Sequence, residues 1–285
     1  MSIKRVGIVG SGTMGSGIAE VASKKGFEVV LRSRSKEGAE SMVKGLERSL
    51  GKQVEKGKLA EGDRDAALAL VRGCTDLEEL AECDLVIESV VEDLGVKKQL
   101  FADLDRICAP SAILATNTST LPVVEMAVAT QRPEQVCGIH FFNPAPLMAL
   151  VEIVRPLTAS DETMATAKAF AEACGKSPVD VRDSAGFVVN ALLFPYLNDA
   201  VRLLERGVAS MEDIDTAMKG GANMPMGPFA LLDLVGLDVS IAILDALYGE
   251  NPDPHLQPAP LLRRLLAAGR LGRKTGRGFY DYSKK

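Results

Sequence analysis

At 285 residues the chain has room for one large domain or two smaller ones, and it can bury a sizeable core without disulfides or metals. Its composition, 47% hydrophobic and 25% charged, is ordinary for a globular protein and excludes disorder, collagen-like repetition and coiled coil. With 33 Lys and Arg against 38 Asp and Glu the net charge is −5, which argues against wholesale nucleic-acid binding. Any anionic ligand must then be met by a local basic patch.

No apolar run approaches the roughly 18 residues of a membrane span, so no membrane partner is expected. Met1–Val9 runs straight into a strand-like segment, which leaves no room for a leader peptide. The five cysteines (Cys74, Cys83, Cys108, Cys137, Cys174) are odd in number and form no CxxC pair. They read as reduced core thiols of a cytoplasmic protein rather than as a disulfide framework or a metal site.

Ile3–Val9 is apolar and β-branched and reads as a strand, followed by a glycine-rich turn at Gly10. The spacing predicts a helix over Met14–Lys25 stopped by Gly26, a strand at Phe27–Leu31, a long polar helix at Glu37–Lys58 and a shorter one at Asp63–Val71. Further strands fall at Leu85–Val90, Ala112–Thr116, Val136–Phe141 and Leu150–Val154, with helical stretches between them. Repeated βαβ units imply a doubly wound parallel sheet with helices on both faces. Near Ser184-Ala185-Gly186 the character changes, and Phe187–Ala268 is almost wholly helical. The expected organisation is an α/β domain, 1–184, followed by a helical domain, 185–285, with the cleft between two such domains as a natural ligand site.

Gly10-Ser11-Gly12-Thr13-Met14-Gly15 fits GxGxxG at the start of a βαβ unit. The first glycine allows a tight turn, the second a close backbone approach to a pyrophosphate, and the third close helix–strand packing. The helix N-terminus then faces the phosphates. An acidic residue is expected about 20 positions on to hold the adenosine ribose. That stretch reads Val30-Leu31-Arg32-Ser33-Arg34, with no carboxylate.

His140 ends the apolar run Val136–His140 at a strand C-terminus, the edge that faces the ligand crevice in such sheets. An imidazole there suits a general base near neutral pH, although a lone histidine can equally be structural. Glu152 lies within the apolar strand Leu150–Val154, where a carboxylate needs a partner that an imidazole N–H could supply. Asn117-Thr118-Ser119-Thr120 follows another strand end, and Asn190 interrupts the apolar segment Phe187–Leu192. Both could converge on the site or serve as turn and cap residues.

These segments, with Gly10–Gly17, Asn117–Leu121, His140–Pro146, Gly186–Asn190, Asn223–Pro228 and Gly272–Tyr280 in order along the chain, resemble the 3-hydroxyacyl-CoA dehydrogenases, most closely the short 3-hydroxybutyryl-CoA group. The resemblance implies a Rossmann-type domain followed by an all-helical one, and a dimer formed through the helical domain. It implies His140 as general base and Glu152 as its orienting carboxylate. Ser119 and Asn190 would hydrogen-bond the substrate oxygen. Glu92, Lys97, Asn117, Asn143 and Lys274 would lie near the cofactor, and Ser49 and Lys56 would touch coenzyme A.

Two other classes compete with this reading. Dehydrogenases with a catalytic lysine on the first helix after the nucleotide domain are excluded, because Ser177–Met218 contains no lysine. A catalytically silent, crystallin-like nucleotide-binding protein of the same fold is the alternative, and the intact chemical positions speak against it.

Lys44, Arg48, Lys52 and Lys56 recur every four residues and form one stripe along a helix. Alone, such a stripe is equally a solvated face with i,i+4 pairing. With the resemblance it becomes a docking strip for coenzyme A phosphates. By the resemblance, most family members that use NAD carry a carboxylate where this chain has Ser33. Its loss beside Arg32 and Arg34 points to NADP(H) in preference to NAD(H), which the site would also accept.

Overall fold

A computed structural model describes residues 3–283, and the chain divides into two compact units, Met1–Asp183 and Ser184–Lys285. Residues 1–2 and 284–285, the outermost residues of the two expected domains and part of the leader-peptide reading, lie outside the described residues.

The first unit holds an eight-stranded sheet in the order β3-β2-β1-β4-β5-β6-β7-β8. The strands are β1 (Arg5–Val9), β2 (Glu28–Arg32), β3 (Val71–Cys74), β4 (Leu85–Glu88), β5 (Ile113–Thr116), β6 (Val136–Phe141), β7 (Leu150–Arg155) and β8 (Ser177–Arg182). Helices α1 (Thr13–Ser23), α2 (Lys36–Glu55), α3 (Glu61–Ala69), α4 (Leu94–Ile107), α5 (Val123–Ala127) and α6 (Asp161–Ala173) flank it. Strands β4, β5 and β6 are buried at every residue, which is why they read as unbroken apolar runs. Strand order reverses at β1, whose neighbours are β2 and β4, and this switch point is where such sheets bind ligands.

Three features depart from the expected pattern. Val71, expected at the end of a helix, opens β3, a short edge strand whose Arg72 and Gly73 are exposed and leave no alternation to read. Strand β8 was not expected at all. It is an edge strand, exposed or half-buried throughout, with Pro178 inside it. The sheet is also not wholly parallel, because β7 runs antiparallel to β6. Residues 142–149 are too few for the crossover that a parallel pair requires.

The second unit comprises α7 (Val189–Glu205), α8 (Met211–Gly221), α9 (Pro228–Val235), α10 (Leu237–Glu250) and α11 (Pro260–Ala267). Phe194, Leu197, Phe229, Leu232 and Leu244 lie in its core. Buried Asp215 caps α9 by accepting from the N–H groups of Phe229 (2.8 Å) and Ala230 (3.1 Å). Buried Asp233 accepts from Phe279 and Tyr280, each at 2.8 Å, and so ties down the C-terminal segment. Among the described residues no helix is long and apolar enough to cross a membrane, and no cluster of side chains is arranged to hold a metal. All five cysteines are buried and free; burial pushes the Cys74 thiol up to about 11 and the Cys137 thiol up to about 12.

Candidate active site

The turn after β1 is shaped by close backbone contacts. Gly10 sits at φ +134°, and a Cβ there would lie 2.1 Å from the Ser89 carbonyl oxygen. A Cβ at Gly15 would lie 2.2 Å from the Gly10 carbonyl oxygen, so α1 presses directly on the turn. Gly12, by contrast, faces open space. It is also the N-cap of α1 and supplies no side-chain acceptor, which leaves the N–H groups at Thr13 and Met14 directed outward for an anion. A cavity of about 350 Å³ adjoins the turn, lined by Ser11, Gly12, Arg32, Ser33, Arg34 and Val90 among others. The cradle, the uncapped helix end and the cavity fit a dinucleotide.

At the end of β2, Ser33 is buried, and the first turn of α2 reaches its hydroxyl only because residue 38 is glycine. Arg32 is half-buried, and its Nε donates to the Thr75 carbonyl at 3.0 Å. Arg34 is exposed. Both arginines line the same cavity.

Across the sheet, the antiparallel pairing sets His140 directly opposite Glu152. Side chains of opposed residues share one face of the sheet, and here the His140 Nδ1 to Glu152 Oε2 distance is 2.7 Å. Both residues are buried, at 3% and 0% exposure. An ionised carboxylate only accepts, so Nδ1 carries the hydrogen and Nε2 keeps its lone pair. That Nε2 lies 3.1 Å from Ser119 Oγ, which donates to it. The Phe142 ring covers the imidazole with centroids 4.6 Å apart. Asn117 Oδ1 accepts from the Phe141 N–H at 2.8 Å and locks the end of β5 to the end of β6.

Glu92 grips the turn that carries Ser119. Its Oε1 accepts from Thr118 Oγ1 at 2.5 Å and from the Ser119 N–H at 2.9 Å. Partial burial raises the Glu92 carboxyl, but the Lys97 ammonium and these donors outweigh it and hold the group below its ordinary value. Lys97 is 1% exposed, and its ammonium sits 2.6 Å from Glu88 and 3.2 Å from Glu92. Asn143 is exposed in the segment after β6.

On α2 the stripe Lys44, Arg48, Lys52 is exposed, opposite the buried face Met42, Leu46, Leu50, and Lys56 caps the helix end. Ser49 is half-buried and donates to buried Glu20 on α1 at 2.6 Å. In the helical unit, Asn190 is buried in the first turn of α7, and Lys274 pairs with Asp238 at 2.5 Å. The structure thus brings His140, Glu152, Ser119, Asn117, Glu92 and Lys97 into one network. It keeps the α2 stripe apart from them.

Sequence reasoning missed Glu88, which ends the apolar strand Leu85-Val86-Ile87 fully buried. The argument applied to Glu152, that a carboxylate in such a strand needs a partner, would have found it.

A dinucleotide cradle at the switch point and a buried histidine–carboxylate pair on the same sheet fit a nicotinamide-dependent oxidoreductase type of site. Comparison narrows the class. A family model described as "3-hydroxyacyl-CoA dehydrogenase, NAD binding domain" matches residues 5–184, and one for the family's C-terminal domain matches 186–282. The chain is 48% identical over 287 residues to a 3-hydroxybutyryl-CoA dehydrogenase of Mycobacterium tuberculosis, covering 99% of each chain. It is 46% identical to the human mitochondrial hydroxyacyl-coenzyme A dehydrogenase, covering 98% of this chain and 91% of that one. The crystal structure of (S)-3-hydroxybutyryl-CoA dehydrogenase from Ralstonia eutropha superposes with a TM-score of 0.97 at 44% identity, covering 99% of this chain and 100% of that one. The chain belongs to the 3-hydroxyacyl-CoA dehydrogenase family.

Proposed function

We propose that the protein interconverts (S)-3-hydroxyacyl-CoA and 3-ketoacyl-CoA thioesters, with 3-hydroxybutyryl-CoA and acetoacetyl-CoA as the preferred pair. The observation that carries this reading is the run Ser119 Oγ–His140 Nε2 (3.1 Å), part-buried, and His140 Nδ1–Glu152 (2.7 Å), buried. In oxidation, His140 Nε2 takes the proton of the 3-hydroxyl, Glu152 stabilises the imidazolium, and Ser119 hydrogen-bonds the same oxygen as it becomes a carbonyl. The bound nicotinamide supplies the acceptor for the hydride leaving C3. In reduction, protonated His140 returns the proton to the developing alkoxide. A positioned acid/base of this kind is worth about 10²–10⁴ in rate.

The remaining assignments extend this reading. Asn190 hydrogen-bonds the substrate oxygen. Glu92, Asn117, Asn143 and Lys274 serve the nicotinamide ribose and phosphates, and Lys97 serves that part of the site from behind Glu92. Ser49, Lys52 and Lys56 receive coenzyme A. NADP(H) is preferred over NAD(H), supported by the missing carboxylate at Ser33 and by two arginines on one cavity. One charge-assisted contact, about 1.5–3 kcal/mol, gives roughly a 10- to 100-fold preference. The protein works in the cytoplasm as a homodimer joined through its helical domain, 185–285, where apolar Leu192 on α7 is 73% exposed.

Turnover of acetoacetyl-CoA with NADPH and NADH, under identical conditions, tests the reaction and the cofactor together. No turnover with either would leave the silent, crystallin-like alternative standing. Equal or better use of NADH would refute the preference alone. Light scattering in solution checks the dimer.

A further inference from the structure

We infer that Glu88 and Lys97, a buried ion pair behind the site, are positioning residues that set the Ser119 hydroxyl against His140. The inference rests on His140 being the acid/base of the reaction. Glu88 and Lys97 are 0% and 1% exposed, so neither meets solvent. Glu88 is fully satisfied from three directions. Its Oε1 accepts from the Val90 N–H and from Lys97 Nζ, each at 2.6 Å, and its Oε2 accepts from Thr116 Oγ1 at 2.7 Å. These donors come from the end of β4, from α4 and from the end of β5, so one carboxylate fixes three elements. Lys97 Nζ also lies 3.2 Å from Glu92 Oε2. The other Glu92 oxygen holds Thr118 Oγ1 and the Ser119 N–H. The next contact in the chain is Ser119 Oγ on His140 Nε2.

Stability alone does not account for such a pair. Taking two charges out of water costs about as much as their attraction returns, and apolar residues of similar volume commonly do as well or better. What the pair supplies is geometry. Lys97, buried between two carboxylates, holds Glu92 from behind, and Glu92 holds the backbone N–H of the residue whose hydroxyl faces the imidazole. A displacement of Ser119 by 1 Å can cost on the order of a hundredfold in rate without any loss of binding.

The test is a kinetic cycle of Glu88→Gln, Ser119→Ala and the double variant, with cofactor affinity measured separately by binary titration with NADPH and NADH. Glu88→Gln is expected to lower kcat by about ten- to a hundredfold. Its effect on kcat should exceed its effect on cofactor Kd, and it should cause no further loss of kcat once Ser119 is alanine, because residues acting through one contact are not additive. Where Glu88→Gln fails to fold, Lys97→Met, which removes the ammonium between Glu88 and Glu92, replaces it in the cycle. Equal losses with and without the Ser119 hydroxyl would overturn the inference, as would an unchanged kcat. So would a Lys97→Met variant that weakens cofactor binding while kcat stays intact, since Lys97 would then be a cofactor ligand. His140→Ala, assayed alongside, separates the two readings. If it turns over like wild type, the proposed reaction itself fails; if it is inactive and the cycle is additive, only the positioning role fails.

Discussion

The two functional ends of the sheet are built differently. At the end of β2, the residues proposed to choose the cofactor include an exposed arginine and one tethered by a single contact to the Thr75 carbonyl. At the ends of β4 to β7, the residues proposed to do the chemistry form one bonded run from Glu88 to Glu152, buried at both ends and open to solvent at Glu92 in the middle. Solvated charge is cheap to alter and gives graded effects, because water and salt replace much of what is lost. Buried networks give large, all-or-none effects, because a partner left behind has nowhere to turn. On the proposed assignments, selectivity falls where substitution is tolerated, and chemistry where it is not.

The largest test of this contrast is at the buried end. His140→Ala and Glu152→Ala should each lower kcat by about 10²–10⁴ while cofactor binding, measured by titration, is retained. Wild-type-like turnover in both would end the assignment. At the exposed end, Arg34→Ala should reduce the NADPH to NADH ratio of kcat/KM by up to about tenfold, one charge-assisted contact's worth. Ser33→Asp should move it further towards NADH, by like-charge repulsion of a 2′-phosphate. If neither variant shifts the ratio, the selecting residues lie elsewhere. Lys56→Ala should raise KM for acyl-CoA a few-fold at low salt, the difference fading as ionic strength rises; a KM unchanged in dilute buffer counts against the docking strip. The smallest expected effect is at the cysteines. Burial pushes Cys83 and Cys174 up to about 12, far above neutral pH, so the thiolate is scarce in the native state. Iodoacetamide at pH 8 should leave activity unchanged and label all five thiols only after unfolding.

Most of the fold was legible because the buried strands are continuous apolar runs and glycine marks the turns. The contact between His140 and Glu152 was legible too, because a carboxylate inside Leu150–Val154 demands a partner and the chain offers only two histidines. What escaped was of another kind. Strands β3 and β8 lie at the sheet edges, half in water, where side chains need not alternate. The reversal of β7 depends on how many residues join it to β6, which propensity does not report. The role of Lys97 depends on Glu88, and a lysine on an amphipathic helix gives no sign that it is buried. Sequence placed it near a cofactor; only its surroundings reveal two carboxylates on one ammonium.

The reversed strand has a consequence for how this scaffold can change. His140 and Glu152 are held opposite one another by the hydrogen-bond ladder between β6 and β7, not by the segment that joins the strands. A slip of one residue in that ladder would turn one of the two side chains to the far face of the sheet, so the pairing itself is under tight constraint. The connecting segment, residues 142–149, is constrained only in places. Phe142 stacks on the His140 ring and Ala145 is buried, whereas Leu147 is 80% exposed and can change while His140 and Glu152 stay in register. Sequence can therefore drift at that exposed position, and the ladder beneath keeps the two side chains opposed.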